Sequence, residues 1–249
     1  MNFIYQHWIF FVVPFLYGMM LVIEFASQFS RVAGFFIEKN AIGYSLQNAT
    51  FTCTRFFSVL LMPLIGFMVD SNLSPEHYII CVLISYFFVS FLGVIVYLAR
   101  YRICLFYIKL INSYIETGSI IKSILNVIKE PKKYKYENTV ITEMKRFKID
   151  IRYFSISCFV YCIHAVGVFL TFYFALISPT NKIMITQTSG VINAFATVLL
   201  TFKIDPALSV AIERKENFIS AFLSIFLGRI FVFLLLAPLI IISTFLATR

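Results

Sequence analysis

Six long apolar stretches constrain this chain more than any other feature of its sequence. Most run for about 18 to 25 residues with few charges, the length at which an α-helix crosses the hydrocarbon core of a bilayer. Outer-membrane barrels show alternating segments of about ten residues instead. The composition agrees, because 60% of the residues are hydrophobic, 13% are charged and the mean hydropathy is +0.89. We therefore predict an all-α, polytopic membrane protein with about six transmembrane helices.

The distribution of charge predicts how this single membrane domain, residues 1–249, is oriented. The segment 100–152 carries twelve Lys and Arg against five Asp and Glu. If this segment is cytoplasmic, most other Lys and Arg also fall inside, and the positive-inside rule places both termini outside. The net charge of +9 then reflects membrane orientation and does not indicate nucleic acid. The predicted spans lie at about 8–30, 41–69, 77–99, 153–177, 183–202 and 218–246.

The central segment begins with the pattern of an amphipathic helix. Isoleucines and leucines recur on one face of residues 105–130, while Lys109, Lys122 and Lys129 fall elsewhere. This pattern predicts a helix that lies in the membrane interface and is broken near Gly118. The basic linker that follows is explained better by anchoring on the cytoplasmic side than by recognition of a specific lipid.

Arg55 is the residue that fits least well in a membrane span. Fourteen residues separate it from Asp70, which is too few to cross a bilayer, so Arg55 must lie at depth. An arginine there costs about 2.5 to 3.5 kcal/mol and normally faces a partner or a water-filled cavity. Asn48 and Thr52 precede it at helical spacing. The sequence therefore predicts that one face of this span lines a polar path.

Two further charged positions leave alternatives open. Glu24 shares a helix face with Arg31, and it is either an interfacial residue or part of a polar entrance. Arg229 either lies inside the membrane or extends to the interface, because residues 231–246 are nearly a span by themselves. A lone arginine paired with Glu24 would be structural. Two or three arginines around one cavity would bind an anion, since guanidinium suits bidentate contact with phosphate.

Polar residues also recur at steps of three or four on the later spans. Ordinary helix packing explains most of these stripes, because small and hydroxyl residues mediate contacts between membrane helices. A single histidine in such a stripe is more often a satisfied buried residue than a ligand. The residues concerned are Thr186, Gly190, Asn193, Thr197 and Thr201 on the fifth span, Ser157, Tyr161, His164 and either Gly167 or Thr171 on the fourth, and Ser220, Ser224 and Gly228 on the sixth.

Signatures of catalysis and of metal binding are missing from the sequence. It contains no phosphate-binding G-x-x-x-x-G-K-[ST] loop, no H-E-x-x-H, no G-x-S-x-G and no Asp-rich magnesium motif. The five cysteines form no C-x-x-C pair and no zinc spacing. We therefore expect neither an enzyme nor a resident cofactor or metal.

Motifs near both ends of the chain resemble the Amj family of alternate lipid II flippases. Glu24 stands where that family's pattern has an acid in the first span, and Asp205-Pro206 and Gly228-Arg229 are similar to its second block. The remaining matching positions are Ser30, Arg31, Val32, Ala33, Gly34, Ala41, Ser45, Leu46, Asn48, Arg55, Pro63, Gly66, Val69 and Asp70.

The resemblance implies a transporter that moves an undecaprenyl-pyrophosphate-linked sugar from the cytoplasmic to the outer leaflet of the bacterial inner membrane. Its partners would be the lipid-linked glycan and membrane lipids, and a homodimer stays open. Arg55, Arg31 and Arg229 would bind pyrophosphate, with Glu24 as their counter-charge or as a proton-coupled switch. The glycan path would be lined by Asn48, Thr52, Asn193 and Thr197.

Three alternatives remain at this stage. The substrate could be another lipid-linked oligosaccharide, such as an O-antigen precursor. An intramembrane enzyme acting on a prenyl phosphate would need a paired acid or nucleophile beside the arginines, and only Glu24 and His164 are candidates. A non-catalytic assembly or immunity protein would show Arg55 and Glu24 in a closed, dry ion pair without a cavity.

Overall fold

The computed structural model of the chain describes residues 8–71, 73–129, 137–215 and 217–249. Within these ranges all regular structure is helical, and six helical stretches are long and apolar enough to cross a membrane. The predicted all-α fold with six spans is therefore confirmed. The first span is α1 (Ile9–Phe36), the second is α2 (Asn40–Cys53) with α3 (Arg55–Asp70), and the third is α4 (Pro75–Leu98). The fourth is α8 (Ile151–Ile177), the fifth joins α9 (Lys182–Leu199) to α10 (Asp205–Glu213), and the sixth joins α11 (Phe218–Phe231) to α12 (Ala237–Thr248).

The first and fifth spans continue beyond their predicted ends at residues 30 and 202. In the first span, the hydroxyls of Ser27 and Ser30 donate to the backbone carbonyls of Glu24 and Ser27, both at 2.8 Å. These polar side chains are satisfied within the helix, so they do not end it. The fifth span similarly runs through Lys203 to Glu213.

The second, fifth and sixth spans are interrupted. The second span divides into two helices at Thr54. The fifth and sixth spans each contain a wide π-helical turn, at Leu200–Ile204 and at Val232–Leu236 respectively. A proline follows each wide turn, Pro206 in the fifth span and Pro238 in the sixth. Because proline has no backbone N–H, it cannot close the α-helical hydrogen bond to a carbonyl within the wide turn. Such turns are frequent at functional sites.

The first span carries most of the packing in the first half of the chain. It packs against both helices of the second span, against α4 and against the helix that follows α4. The fourth span packs mainly against the fifth and sixth. The principal contacts of the second span are with the first and fourth, and those of the fifth are with the fourth. The second and fifth spans therefore flank the bundle interior without packing closely on each other.

Helix packing explains part of the polar stripes, as predicted. The hydroxyl of Ser157 donates to the carbonyl of Ile225 at 2.7 Å, and a Cβ at Gly228 would lie 2.9 Å from Ser157. A Cβ at Gly167 would lie 2.4 Å from the side chain of Ile192. These small residues let the fourth span approach both of its neighbours closely.

The described part of the central segment contains α5 (Arg100–Thr117), α6 (Ile120–Lys129) and α7 (Glu137–Lys145). The predicted break is confirmed, because α5 ends where Gly118 takes a left-handed φ of 67°. The apolar face of α5 packs on the first span with Ile108 and Ile111 fully buried. The membrane-interface location of α6 stays a prediction. Residues 130–136 of the predicted basic linker lie outside the described residues.

Candidate functional site: two cavities inside the bundle

Two cavities lie one above the other between the spans. The larger, which we call the loop-side cavity, has a volume of about 190 Å³ and lies toward the end of the bundle that carries α5 to α7. The smaller, which we call the distal cavity, has a volume of about 150 Å³ and lies toward the opposite end. Both are bounded by the first, second, fourth and fifth spans, and the sixth adds a wall to the loop-side cavity.

Four side chains line both cavities and form the partition between them: Glu24, Phe51, His164 and Thr197. Each comes from a different span, the first, second, fourth and fifth respectively. A solute that passed along the bundle would have to cross this layer.

A buried ion pair joins Glu24 of the partition to Arg229, which lines the loop-side cavity. The guanidinium of Arg229 donates to one carboxylate oxygen of Glu24, and the hydroxyl of Thr54 donates to the other at 3.2 Å. Arg229 also lies between two rings, 4.6 Å from the centroid of Phe25 and 4.7 Å from that of Tyr161. Both charged residues are buried and line the loop-side cavity, so they face the interior of the bundle and not its outer surface.

A second ion pair lies in the loop-side cavity. The guanidinium of Arg31 donates to the carboxylate of Asp205 at 2.9 Å and lies 4.4 Å from the ring centroid of Tyr44. The side chain of Arg31 is 3% exposed and that of Asp205 is 20% exposed. The Nη1 atom of Arg31 has no hydrogen-bond partner among the described residues. One of the two terminal nitrogens of the Arg31 guanidinium can therefore bind a ligand that enters the cavity.

Arg55 lines the distal cavity, apart from the other two arginines. It is at the middle of the second span, and its guanidinium lies 5.2 Å from the ring centroid of Phe51. No carboxylate among the described residues forms an ion pair with it. The three arginines thus do not converge on one cavity.

The polar residues expected along the path are also divided. Asn48 lines the loop-side cavity, Asn193 lines the distal cavity and Thr197 lines both. The Oδ1 atom of Asn193 is buried without a partner among the described residues. Thr52 is not among the residues that line either cavity, and its hydroxyl donates to the carbonyl of Asn48 at 2.8 Å. The geometry therefore gives Thr52 no place in the path.

Comparison with known proteins decides the family. Residues 16–245 match the model of the family Amj, described as "alternate to MurJ", and this stretch contains both cavities and both ion pairs. The chain belongs to the Amj family. Amj is a family of alternate lipid II flippases. Neither the search of curated proteins nor the search of solved structures returned a match.

Several residues that line the cavities of this Amj protein were not identified as site residues from the sequence. Asp205 stood out only through the family resemblance, while Tyr161 and His164 were assigned to a packing stripe. The Nε2 atom of Gln28 donates to the Tyr161 hydroxyl at 3.4 Å, and both line the loop-side cavity. For Tyr161 and His164, the sequence signal was the polar stripe that crosses the middle of the fourth span.

An exposed ion pair joins two connectors at the loop-side end of this Amj protein. Lys215 Nζ lies 2.7 Å from Glu38 Oε1. The hydrogen bond from Lys215 and its charge lower the pKa of Glu38, and the same contact raises the pKa of Lys215. The pair therefore links the first connector to the one between the fifth and sixth spans, in a position where solvent screens it.

A search of the described residues found no group of three or more His, Cys, Asp or Glu side chains placed to hold a metal ion.

Proposed function

We propose that this protein flips lipid II, an undecaprenyl-pyrophosphate-linked sugar, from the cytoplasmic to the outer leaflet of the bacterial inner membrane. The observation that carries the proposal is Arg55, a cation at the middle of a span that faces a cavity and has no carboxylate partner among the described residues. A charge at that depth is costly unless it meets a partner. An anion brought in by a lipid supplies that partner.

The chemistry of the cavities matches the three parts of such a substrate. Arg31, Arg229 and Arg55 can meet the pyrophosphate, since guanidinium binds phosphate oxygens in a bidentate manner. Asn48, Asn193 and Thr197 offer the amide and hydroxyl groups that a glycan recognises. The prenyl tail would remain in lipid, at the gap that the second and fifth spans flank.

Glu24 has the role of counter-charge in this proposal. Its carboxylate compensates Arg229 while the pathway is empty, and protonation of Glu24 or arrival of the anion would release Arg229. The sequence contains no nucleotide-binding motif, so we propose that transport is driven by the membrane potential or an ion gradient. Both termini then lie outside and the segment 100–152 lies inside, as the positive-inside rule predicts.

The two other classes of function fit the geometry less well. A prenyl-phosphate enzyme needs an acid or nucleophile beside the arginines. Of the two candidates, Glu24 is held by Arg229 and Thr54, which leaves His164, a residue that lines both cavities. An assembly or immunity protein was expected to pair Glu24 with Arg55 in a dry interior. Glu24 instead pairs with Arg229, and Arg55 lines a cavity.

Growth rescue tests the proposal. The gene is expressed in cells whose main lipid II flippase is depleted, and the natural chain is expected to restore growth. Arg55→Ala should abolish rescue while the protein still accumulates in the membrane. The matched control is Arg102→Ala, since Arg102 is an exposed arginine on α5 outside both cavities.

The rescue test has two contrary outcomes. Full rescue by Arg55→Ala would overturn the assignment of this site. Failure of the natural chain here, together with rescue of a strain that lacks its O-antigen flippase, would move the substrate to another lipid-linked oligosaccharide.

A further inference from the structure

The partition separates two different electrostatic environments. The loop-side cavity holds Arg31 and Asp205 as a pair and Arg229 and Glu24 as a pair, so its charges balance among the described residues. The distal cavity contains Arg55 and, at the partition, Glu24. Because Glu24 is already paired with Arg229, the charge of Arg55 is not balanced by the described residues. The distal cavity therefore offers an anion a cation that is already unpaired, and the exposed side chain of Arg55 can be reached by it.

We propose that the distal cavity is a second, separate binding site for a lipid-linked pyrophosphate, with Arg55 as its cation. This inference rests on the proposed function and divides it into two steps. The pyrophosphate first binds beside Arg31 in the loop-side cavity. It then crosses the partition and binds to Arg55 before release at the opposite leaflet.

The distal cavity also contains groups suited to an anion with an attached sugar. The hydroxyl of Ser58, one turn after Arg55, donates to the sulfur of Met20 at 3.1 Å. A thioether is a weak acceptor, so a phosphate oxygen competes well for this hydroxyl. The buried and unpartnered Oδ1 of Asn193 accepts a hydrogen bond from a sugar hydroxyl. Cation, donor and acceptor come from the second and fifth spans, which flank the gap.

The Glu24–Arg229 pair supplies the connection between the two sites. Arg229 lines the loop-side cavity, and its carboxylate partner lines both. A pyrophosphate beside Arg229 competes with Glu24 for the guanidinium. When Arg229 turns to the ligand, Glu24 is left beside Thr54, which precedes Arg55. The negative charge of Glu24 must then be compensated by Arg55, which lines the same distal cavity, or by a proton, while the head group passes between the guanidinium groups.

Protection of single cysteines from a thiol reagent tests the second site. The background is a rescue-competent variant with its five cysteines replaced by alanine, which carries Gln47→Cys in the loop-side cavity or Met62→Cys in the distal cavity. The purified protein in detergent micelles is treated with a maleimide at increasing concentrations of undecaprenyl pyrophosphate. The ligand is expected to slow labelling at both positions.

Arginine variants then separate the two sites. Arg55→Gln should raise the concentration that protects Met62→Cys about tenfold or more, as the loss of charge-assisted hydrogen bonds predicts, and leave protection of Gln47→Cys unchanged. Arg31→Gln should have the opposite pattern. Arg55→Lys, which keeps the charge, should restore part of the distal protection, and Arg102→Gln should alter neither position.

The remaining outcomes overturn one claim or both. If Arg55→Gln and Arg31→Gln each remove protection at both positions to the same extent, there is one site and the second site is wrong. If the ligand protects Gln47→Cys but not Met62→Cys while all arginines are present, the distal site is wrong and the loop-side site stands. If the ligand protects neither cysteine there, the pyrophosphate substrate of the proposed function is wrong, and the second site falls with it.

Discussion

Glu24 and Arg229, which are 205 positions apart in the chain, form an ion pair inside the helical bundle. The pair joins the first span to the sixth, and Thr54 of the second span completes the hydrogen bonds of the carboxylate. One contact therefore links three spans at the level where the two cavities meet. Changes to this contact should therefore affect stability and transport together.

Removal of the carboxylate is expected to destabilise the protein strongly. Glu24→Gln leaves the guanidinium of Arg229 buried without a counter-charge, and breaking a buried pair in this way costs about 3 to 5 kcal/mol. Thermal unfolding in detergent, followed through the reaction of a dye with the buried thiols of Cys81 and Cys104, measures the loss. Glu24→Gln combined with Arg229→Gln should recover part of it, because no lone charge remains. A double variant as unstable as the sum of the single variants would show that the pair is not coupled.

The Arg31–Asp205 pair should respond unequally to removal of its two members. Asp205→Ala leaves the guanidinium of Arg31, which is 3% exposed, without its carboxylate. Arg31→Met leaves Asp205, whose side chain is 20% exposed and can be hydrated. We expect Asp205→Ala to lower the unfolding free energy by about 1 to 3 kcal/mol and Arg31→Met to lower it by less. Comparison of the two melting temperatures in the same detergent checks the order, and a reversed order contradicts the burial argument.

A methyl group at Gly43 should disrupt the contact between the first two spans. Its Cβ would lie 2.5 Å from the carbonyl oxygen of Ser30 and 3.0 Å from the Cα of Gly34, and both are backbone atoms. Gly43→Ala should therefore cost about 1 to 3 kcal/mol. Gly190 is the matched control, since a Cβ there meets nothing within 4 Å, and Gly190→Ala should gain about 0.5 to 1 kcal/mol from lower backbone entropy. Equal melting temperatures for the two variants would refute the close approach.

The exposed Glu38–Lys215 pair should make a small contribution that depends on pH and salt. The lowered pKa of Glu38 means that its contribution is present above the ordinary value of 4.5 and is lost as the pH falls through the lowered pKa. The raised pKa of Lys215 means that its contribution is lost only as the pH rises above 10.5 through the raised pKa. The difference in melting temperature between the natural protein and Glu38→Gln should thus be largest between these limits. It should disappear in concentrated salt, and a difference that persists there would point to a contact other than this ion pair.

The sequence was sufficient to predict features that depend on local spacing. The six spans follow from the lengths of the apolar runs, and the depth of Arg55 follows from its distance to Asp70. Even so, the first span continues to Phe36, beyond its predicted end at residue 30, and the hydroxyls of Ser27 and Ser30 near that end bond to the helix backbone. Hydropathy does not distinguish a satisfied hydroxyl from an unsatisfied one.

The partners of the arginines could not be predicted from spacing. Which carboxylate meets Arg229 depends on the rotation of the first and sixth spans about their axes, and the packing of Phe25 and Tyr161 around the guanidinium fixes that rotation. The location of Asp205 inside the bundle could not be predicted for a different reason. It lies beyond the predicted end of the fifth span, which in fact continues through a wide turn.

That wide turn corrects the helical phase of the fifth span. In a straight α-helix, positions four residues apart drift by about 40° per step, which accumulates to about 120° over the three steps from Asn193 to Asp205. In the wide turn Leu200–Ile204, each residue advances by a smaller angle about the helix axis than in an α-helix. This smaller rotation cancels much of the drift. One face of the fifth span therefore lines the cavities along most of the bundle. This face carries Asn193, Thr197, Thr201 and Asp205. If the same residues formed a regular α-helix instead of the wide turn, the span would be just as apolar, but Asp205 would be rotated by about 120° from Asn193 and away from Arg31.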